Sequence, residues 1–159
     1  MQRDIHLLFA DDNPGDRELA REALEHCAER VHLHTACDGA EALDFLRQFN
    51  KYKSAPRPDV VLLDINMPRM DGLETLKIIK NDIDLMTIPV VVFSSSTAPT
   101  DLQLAYALHA NAYVIKPSGL GDFLRAVQEI EKFWGEVATS SHYKQGGQHE
   151  RKTVSSIAG

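Results

Sequence analysis

Val60-Val61-Leu62-Leu63 is an unbroken apolar run that ends in Asp64. Four hydrophobic residues in succession suit a strand covered on both faces, as in a parallel sheet. Ile5-His6-Leu7-Leu8-Phe9-Ala10 and Val90-Val91-Val92-Phe93 have the same character, and Ala112-Tyr113-Val114-Ile115 is a shorter example. Val31–Ala36 alternates in part, which predicts a short edge strand with His32 and His34 on its solvated face. Between these runs apolar residues recur at helical spacing. Leu19, Ala23, Leu24 and Cys27 follow the first strand; Ala40, Leu43, Leu46 and Phe49 follow Asp38-Gly39; Leu73, Leu76 and Ile79 follow Gly72. Leu102, Ala105 and Tyr106 mark a fourth helix within residues 97–109, and Leu120, Phe123, Leu124, Val127 and Ile130 a fifth within 118–136. These faces are expected to cover the sheet. Asn13-Pro14 supplies a cap and a first-turn proline for the first helix, and Asp16 and Glu18 suit its positive end.

Five strands alternating with five helices imply parallel pairing, because parallel neighbours need a crossover connection. Right-handed crossovers in an open sheet favour the flavodoxin-like doubly wound α/β arrangement, strand order 2-1-3-4-5. Residues 1–137 are expected to form this unit and residues 138–159, rich in Ser, Gly and Lys/Arg, a polar tail rather than a second folded domain.

The chain has 159 residues, 43% of them hydrophobic and 25% charged, with a net charge of −6. That acidity argues against non-specific nucleic-acid binding, which needs a basic stripe. No apolar stretch is longer than a strand, so no membrane span is predicted, and Met1–Asp4 leaves no room for a signal peptide. Cys27 and Cys37 lack metal or redox spacing and read as small residues of a reduced, cytoplasmic protein.

In such folds ligands bind beyond the carboxyl ends of the strands, at the switch point between strands 1 and 3. Asp11 and Asp12 follow strand 1, Asp64 strand 3, Ser94 strand 4 and Lys116 strand 5. Carboxylates converging there repel one another by roughly 4 kcal/mol per pair at about 4 Å and an effective dielectric near 20. A divalent cation relieves that repulsion, and oxygen ligands without His or Cys select Mg²⁺. With Lys116 alongside, an arriving phosphoryl group is neutralised on two sides, so Asp64 is the natural nucleophile and Ser94 a hydrogen-bond donor.

Asp11-Asp12, Asp64 with Met67-Pro68-Arg69-Met70-Asp71-Gly72, Ser94 on a Pro89-initiated strand, and Lys116-Pro117 together resemble the receiver domain of two-component response regulators, over Ile5 to about Trp134. The resemblance implies a phosphoacceptor at Asp64. It also implies Mg²⁺ held by Asp11, Asp12, Asp64 and the Asn66 main-chain carbonyl, with the phosphoryl group bound by Ser94 and Lys116. A cis Lys116–Pro117 bond and a switch pairing Ser94 with Tyr113 are further expectations. The other reading of Tyr113 is an edge-strand aromatic packed on the last helix.

Residues 52–58, 106–113 and 130–134 are similar to single-domain regulators paired with bacterial and cyanobacterial phytochromes. That implies a red-light-sensing histidine kinase as donor; an unrelated histidine kinase is the alternative. Leu104, Leu108, Phe133 and Trp134 suggest a homodimer through helix 4, strand 5 and helix 5, whereas Trp134 alone has a second reading, folded over the bottom of the sheet. An Mg²⁺-dependent phosphohydrolase with an Asp nucleophile is the enzymatic rival. It would carry an Asp two residues after the nucleophile as general acid, where this chain has Asn66. A flavin-mononucleotide binder would need a Ser/Thr/Gly-rich first loop in place of Asp11–Asp16. A phosphorylation-independent scaffold would leave the whole acidic cluster without a role.

Overall fold

Val60–Leu63 is inaccessible on both faces because it is the middle strand of five. In the computed structural model, which describes residues 3–27 and 29–137, the elements alternate as the periodicities predict. They are β1 (Ile5–Ala10), α1 (Pro14–Glu25), β2 (Val31–Ala36), α2 (Gly39–Arg47), β3 (Val60–Leu63), α3 (Gly72–Asn81), β4 (Val90–Ser94), α4 (Pro99–Ala107), β5 (Ala112–Ile115) and α5 (Leu120–Glu131). A single 3₁₀ turn, Asn50–Tyr52, interrupts the loop before β3, and a π-helical segment, Lys132–Val137, continues α5. The strands pair in parallel in the order β2-β1-β3-β4-β5.

Alternate residues of the three central strands feed two cores. Ile5, Leu7, Phe9, Val60, Leu62, Val91 and Phe93 meet α1 and α5, where Phe93 lies between Phe9 and Phe123 at centroid distances of 6.0 and 5.3 Å. Leu8, Ala10, Val61, Leu63, Val90 and Val92 meet α2, α3 and α4. Polar side chains start three of the helices. Asn13 accepts from the Gly15 and Asp16 N–H groups, Asp38 from Glu41 N–H, and Asp71 from Glu74 N–H. Each satisfies a donor that the first helical turn would otherwise leave without a partner. No helix among the described residues is long and apolar enough to cross a membrane.

Several expected inward positions face solvent instead. Ala40, Phe49, Leu102, Tyr106 and Leu120 are exposed. α4 touches the core chiefly through Ala105, so its apolar residues are not gathered on one stripe. Phe49 and Leu120 lie just outside their helices' buried turns, where periodicity no longer orients a side chain. Leu108, by contrast, packs partly buried against the α2–α4 core, and Trp134 against the α1–α5 core.

The β2 histidines also depart from expectation. The β1–β2 register sets His6 opposite His32 and diagonal to His34. The His6 and His32 rings stack at 4.9 Å, His6 Nδ1 lies 3.0 Å from His34 Nε2, and His34 rests on Phe45. The expected solvated face is thus a half-buried cluster, because residue 6 on the neighbouring strand is also a histidine. Burial, then the His6 and His32 charges, brings His34 down to about 4; burial and His32 lower His6 against the opposing pull of Asp59 and Asp4.

The unfolded chain therefore binds protons that the folded cluster refuses. Stability from this source is full above about pH 6.5 and is lost as pH falls from there towards 4. One histidine contributes at most about 1.4 kcal/mol per pH unit, and less here because the ring is half-exposed. Urea unfolding at about pH 7 and about pH 5 should show the loss, and His34→Gln should flatten it. An unchanged slope in His34→Gln would contradict this origin.

Candidate functional site

The carboxyl ends of β1, β3, β4 and β5 bring the five strand-terminal residues to one end of the sheet. The Asp11 N–H donates to Ala36 O at 3.0 Å and the Asp64 N–H to Ala10 O at 3.0 Å, so both aspartates leave the sheet side by side. The Lys116 N–H donates to Ser94 O at 2.9 Å, which sets Lys116 next to the end of β4. Asp11, Asp64 and Ser94 are buried, whereas Asp12 and Asn66 are exposed.

Lys116 crosses the site from β5. Its ammonium lies 2.5 Å from Asp11 Oδ2, 3.1 Å from Asp64 Oδ2 and 2.8 Å from Asp16 Oδ2. The second oxygens of the buried pair accept main-chain N–H groups, Asp11 Oδ1 from Asn13 at 2.9 Å and Asp64 Oδ1 from Ile65 at 2.8 Å. Burial alone would pull Lys116 down, but hydrogen bonds to Asp11 and Asp16 and the charges of Asp11 and Asp64 outweigh it and hold the ammonium above its usual range. Burial pushes the Asp11 carboxyl up, with Asp64 adding to the rise, although Lys116 and the Asn13 N–H oppose it. One ammonium thus serves three carboxylates, so negative charge is in excess at this end of the sheet.

An oxygen from each of Asp11, Asp12 and Asp64 lies within 4.8 Å of the other two. An all-oxygen set of this kind suits a hard divalent cation such as Mg²⁺, which binds through a few carboxylates and retains water. Beside it, a cleft of about 370 Å³ opens between α1 and the start of α5, lined by Asp16, Leu19, Ser95, Lys116, Pro117 and Phe123 among others.

Two close approaches fix the loop after Asp64. A Cβ on Gly72 would fall 1.9 Å from Asp64 O, so only glycine lets α3 begin against the Asp64 backbone. There the Gly72 N–H donates to Ile65 O at 2.8 Å. Arg69, in the left-handed region at φ 65°, donates from Nε to Asp38 Oδ2 at 2.6 Å, and Gly39 N–H donates to Met70 O at 3.2 Å. Burial works against the Asp38 charge, yet the Glu41 N–H and the Arg69 guanidinium hold its carboxyl below the usual range. The β3–α3 loop is thereby tied to the start of α2.

Tyr113 packs on the α4 side of the sheet, not on the last helix, and its hydroxyl donates to Ser96 O at 2.8 Å. Ser96 N–H in turn lies 3.2 Å from Ser94 Oγ. No cis peptide bond occurs among the described residues, so Lys116–Pro117 is trans, the form an X–Pro bond favours by about 0.5–1 kcal/mol. Sequence reasoning missed Asp16, read only as a helix-end charge, and the Arg69–Asp38 tie. Neither carries a one-dimensional signal, since each depends on a partner at least 30 residues away.

Residues 7–128 match the response regulator receiver domain. The chain belongs to the response regulator receiver family. It is 40% identical over 133 residues to the response regulator Rcp1 of Synechocystis sp., covering 84% of this chain and 90% of that protein. The structure of the phosphorylated cyanobacterial phytochrome response regulator RcpA superposes with a TM-score of 0.83 at 40% identity, over 87% of this receiver and 99% of that chain. The Mn²⁺-bound form of Rcp1 gives 0.79 at 39% identity, over 86% and 98%.

Gly72→Ala should force Asp64 and α3 apart. Core overpacking of this kind costs about 1–3 kcal/mol, and chemical denaturation would measure it. A neutral or stabilising effect, the usual result of Gly→Ala within a helix, would show that the approach is not binding.

Proposed function

We propose that this receiver accepts a phosphoryl group on Asp64 from the phosphohistidine of a sensor histidine kinase and passes the signal on by protein–protein contact. The observation that carries the reading is the Lys116 ammonium shared by Asp11 and Asp64 beside a three-carboxylate cluster. Asp11, Asp12 and Asp64 would hold Mg²⁺, with the Asn66 carbonyl as a further ligand. Bound there, the cation supplies charge neutralisation for phosphoryl oxygens.

An Asp64 carboxylate oxygen attacks phosphorus as the bond from phosphorus to the donor breaks. The donor nitrogen leaves with the electron pair and takes a proton from solvent; with acetyl phosphate, acetate leaves instead. Lys116 donates to one oxygen of the transferred group, and the Ser94 hydroxyl, at the end of β4, donates to another. Asn66 stands where an aspartate-based phosphohydrolase would have its general acid, so turnover of small phosphoesters should be poor and the product is a signal rather than a turnover event.

Similarity to Rcp1 and RcpA supports a phytochrome-type kinase as donor and a cytoplasmic setting. Tyr113 serves as the switch aromatic, its hydroxyl bonded into the Ser94–Ser96 segment. The phosphoryl group would favour the state in which Ser94 turns towards it, a population shift read on the α4–β5–α5 face. Leu104, Ile115 and Phe133, on α4, β5 and the extension of α5, are 47%, 50% and 51% exposed, which supports a homodimer across that face. Leu108 and Trp134 pack inward and serve the fold. Residues 1–137 act as the receiver; the 138–159 tail lies outside the described residues.

Incubation with Mg²⁺ and either acetyl phosphate or an autophosphorylated phytochrome kinase should add the mass of one phosphoryl group, absent in Asp64→Asn and with EDTA. Light scattering of the same samples should show a dimer that Leu104→Asp weakens. No mass gain from either donor would sink the acceptor reading, and a monomer throughout would remove the dimer.

A further inference from the structure

Lys116 has three ammonium protons and, in this structure, three carboxylate partners: Asp11, Asp16 and Asp64. Its side chain is 9% exposed, so the ammonium has little water to turn to. Asp11 and Asp64 belong to the cluster suited to a cation; Asp16 does not. Asp16 stands in the first turn of α1, where its N–H donates to the Asn13 cap at 3.3 Å, and it reaches Lys116 from the cleft side. Its first-turn charge would favour the helix wherever the side chain pointed. The contact with Lys116 is a separate feature, made across 100 residues of sequence.

We propose that Asp16 is a positioning residue that holds the Lys116 ammonium on the α1 side of the site, in competition with the arriving phosphoryl group. The inference rests on the acceptor reading of Asp64 given above. A phosphoryl oxygen needs one of the three ammonium protons, and Asp16 is the partner whose carboxylate has no cation to turn to when Lys116 lets go. Asp16 also adds a negative charge beside the path of a dianionic donor. It therefore keeps Lys116 ordered before transfer and slows the transfer itself. The receiver gains a barrier against small-molecule phosphate donors that a docked kinase can overcome by supplying binding energy of its own.

The test uses the full chain with saturating Mg²⁺ and acetyl phosphate, comparing wild type, Asp16→Asn and Asp16→Glu. Removing the charge should raise the initial rate by about threefold or more, and retaining it in Asp16→Glu should leave the rate within about twofold of wild type. In metal-free protein, the Lys116 side-chain ammonium signal by ¹H–¹⁵N NMR should exchange faster with water in Asp16→Asn. Calorimetry should find Mg²⁺ affinity changed by less than about threefold, because Asp16 lies outside the cluster.

A phosphorylated wild type with Asp16→Asn no faster overturns the inference alone. An unchanged ammonium signal overturns it too, since Asp16 would then hold nothing. A drop of about tenfold or more in Mg²⁺ affinity would make Asp16 a metal ligand and likewise overturn it. If the wild type takes no phosphoryl group, the acceptor reading itself has failed; a response of the ammonium signal to Asp16→Asn would identify that case.

Discussion

One ammonium shared among carboxylates is the constraint on which the site depends. Lys116 draws Asp11, Asp16 and Asp64 to within 3.1 Å of a single nitrogen, and those residues leave three different elements. Burying a carboxylate without a partner costs several kcal/mol or shifts its pKa, so the end of the sheet is tolerable only with Lys116 in place. Even so the balance is incomplete, because three carboxylates share one ammonium. A site left short of positive charge is suited to a divalent cation, which would in turn let a phosphoryl group approach. The crowding of negative charge at this end of the sheet and its suitability for a metal-assisted phosphoryl transfer have one physical origin.

The surrounding structure restricts how that cluster can relax. β1 and β3 lie adjacent at the centre of the sheet, so Asp11 and Asp64 cannot separate without breaking main-chain hydrogen bonds. Gly72 sets α3 against Asp64, and Arg69 ties the intervening loop to Asp38 at the start of α2. Under the proposed switch the element that adjusts is the β4–α4 connection, where the Ser96 N–H bonds Ser94 Oγ and the Tyr113 hydroxyl bonds Ser96 O. Rigidity under the acceptor and adjustability beside it are what a two-state relay needs.

Much of this is legible in the chain itself. Strand-length apolar runs and helical spacing are local properties, so the element order and the 2-1-3-4-5 sheet follow from them. Asp11, Asp12, Asp64, Ser94 and Lys116 can be read as one group because each follows a strand and parallel strands end on the same side. What escapes is anything set by a distant partner. His32 and His34 look like an edge face until His6 is placed beside them by strand register. Asp16 looks like a helix-end charge until β5 delivers Lys116. Leu102 and Tyr106 look inward until α4 proves to touch the core through Ala105. Helical spacing identifies a face but not how much of it a neighbouring element covers.

Asp64, among four crowded aspartates, is the one proposed to become covalently modified. Borohydride reduction of the phosphorylated protein converts an acyl phosphate to the corresponding alcohol, and peptide mass sequencing then locates it. Homoserine is expected at position 64, with Asp11, Asp12 and Asp16 recovered unchanged. Homoserine at any of those three positions, or a phosphorylated protein that yields none, would contradict it.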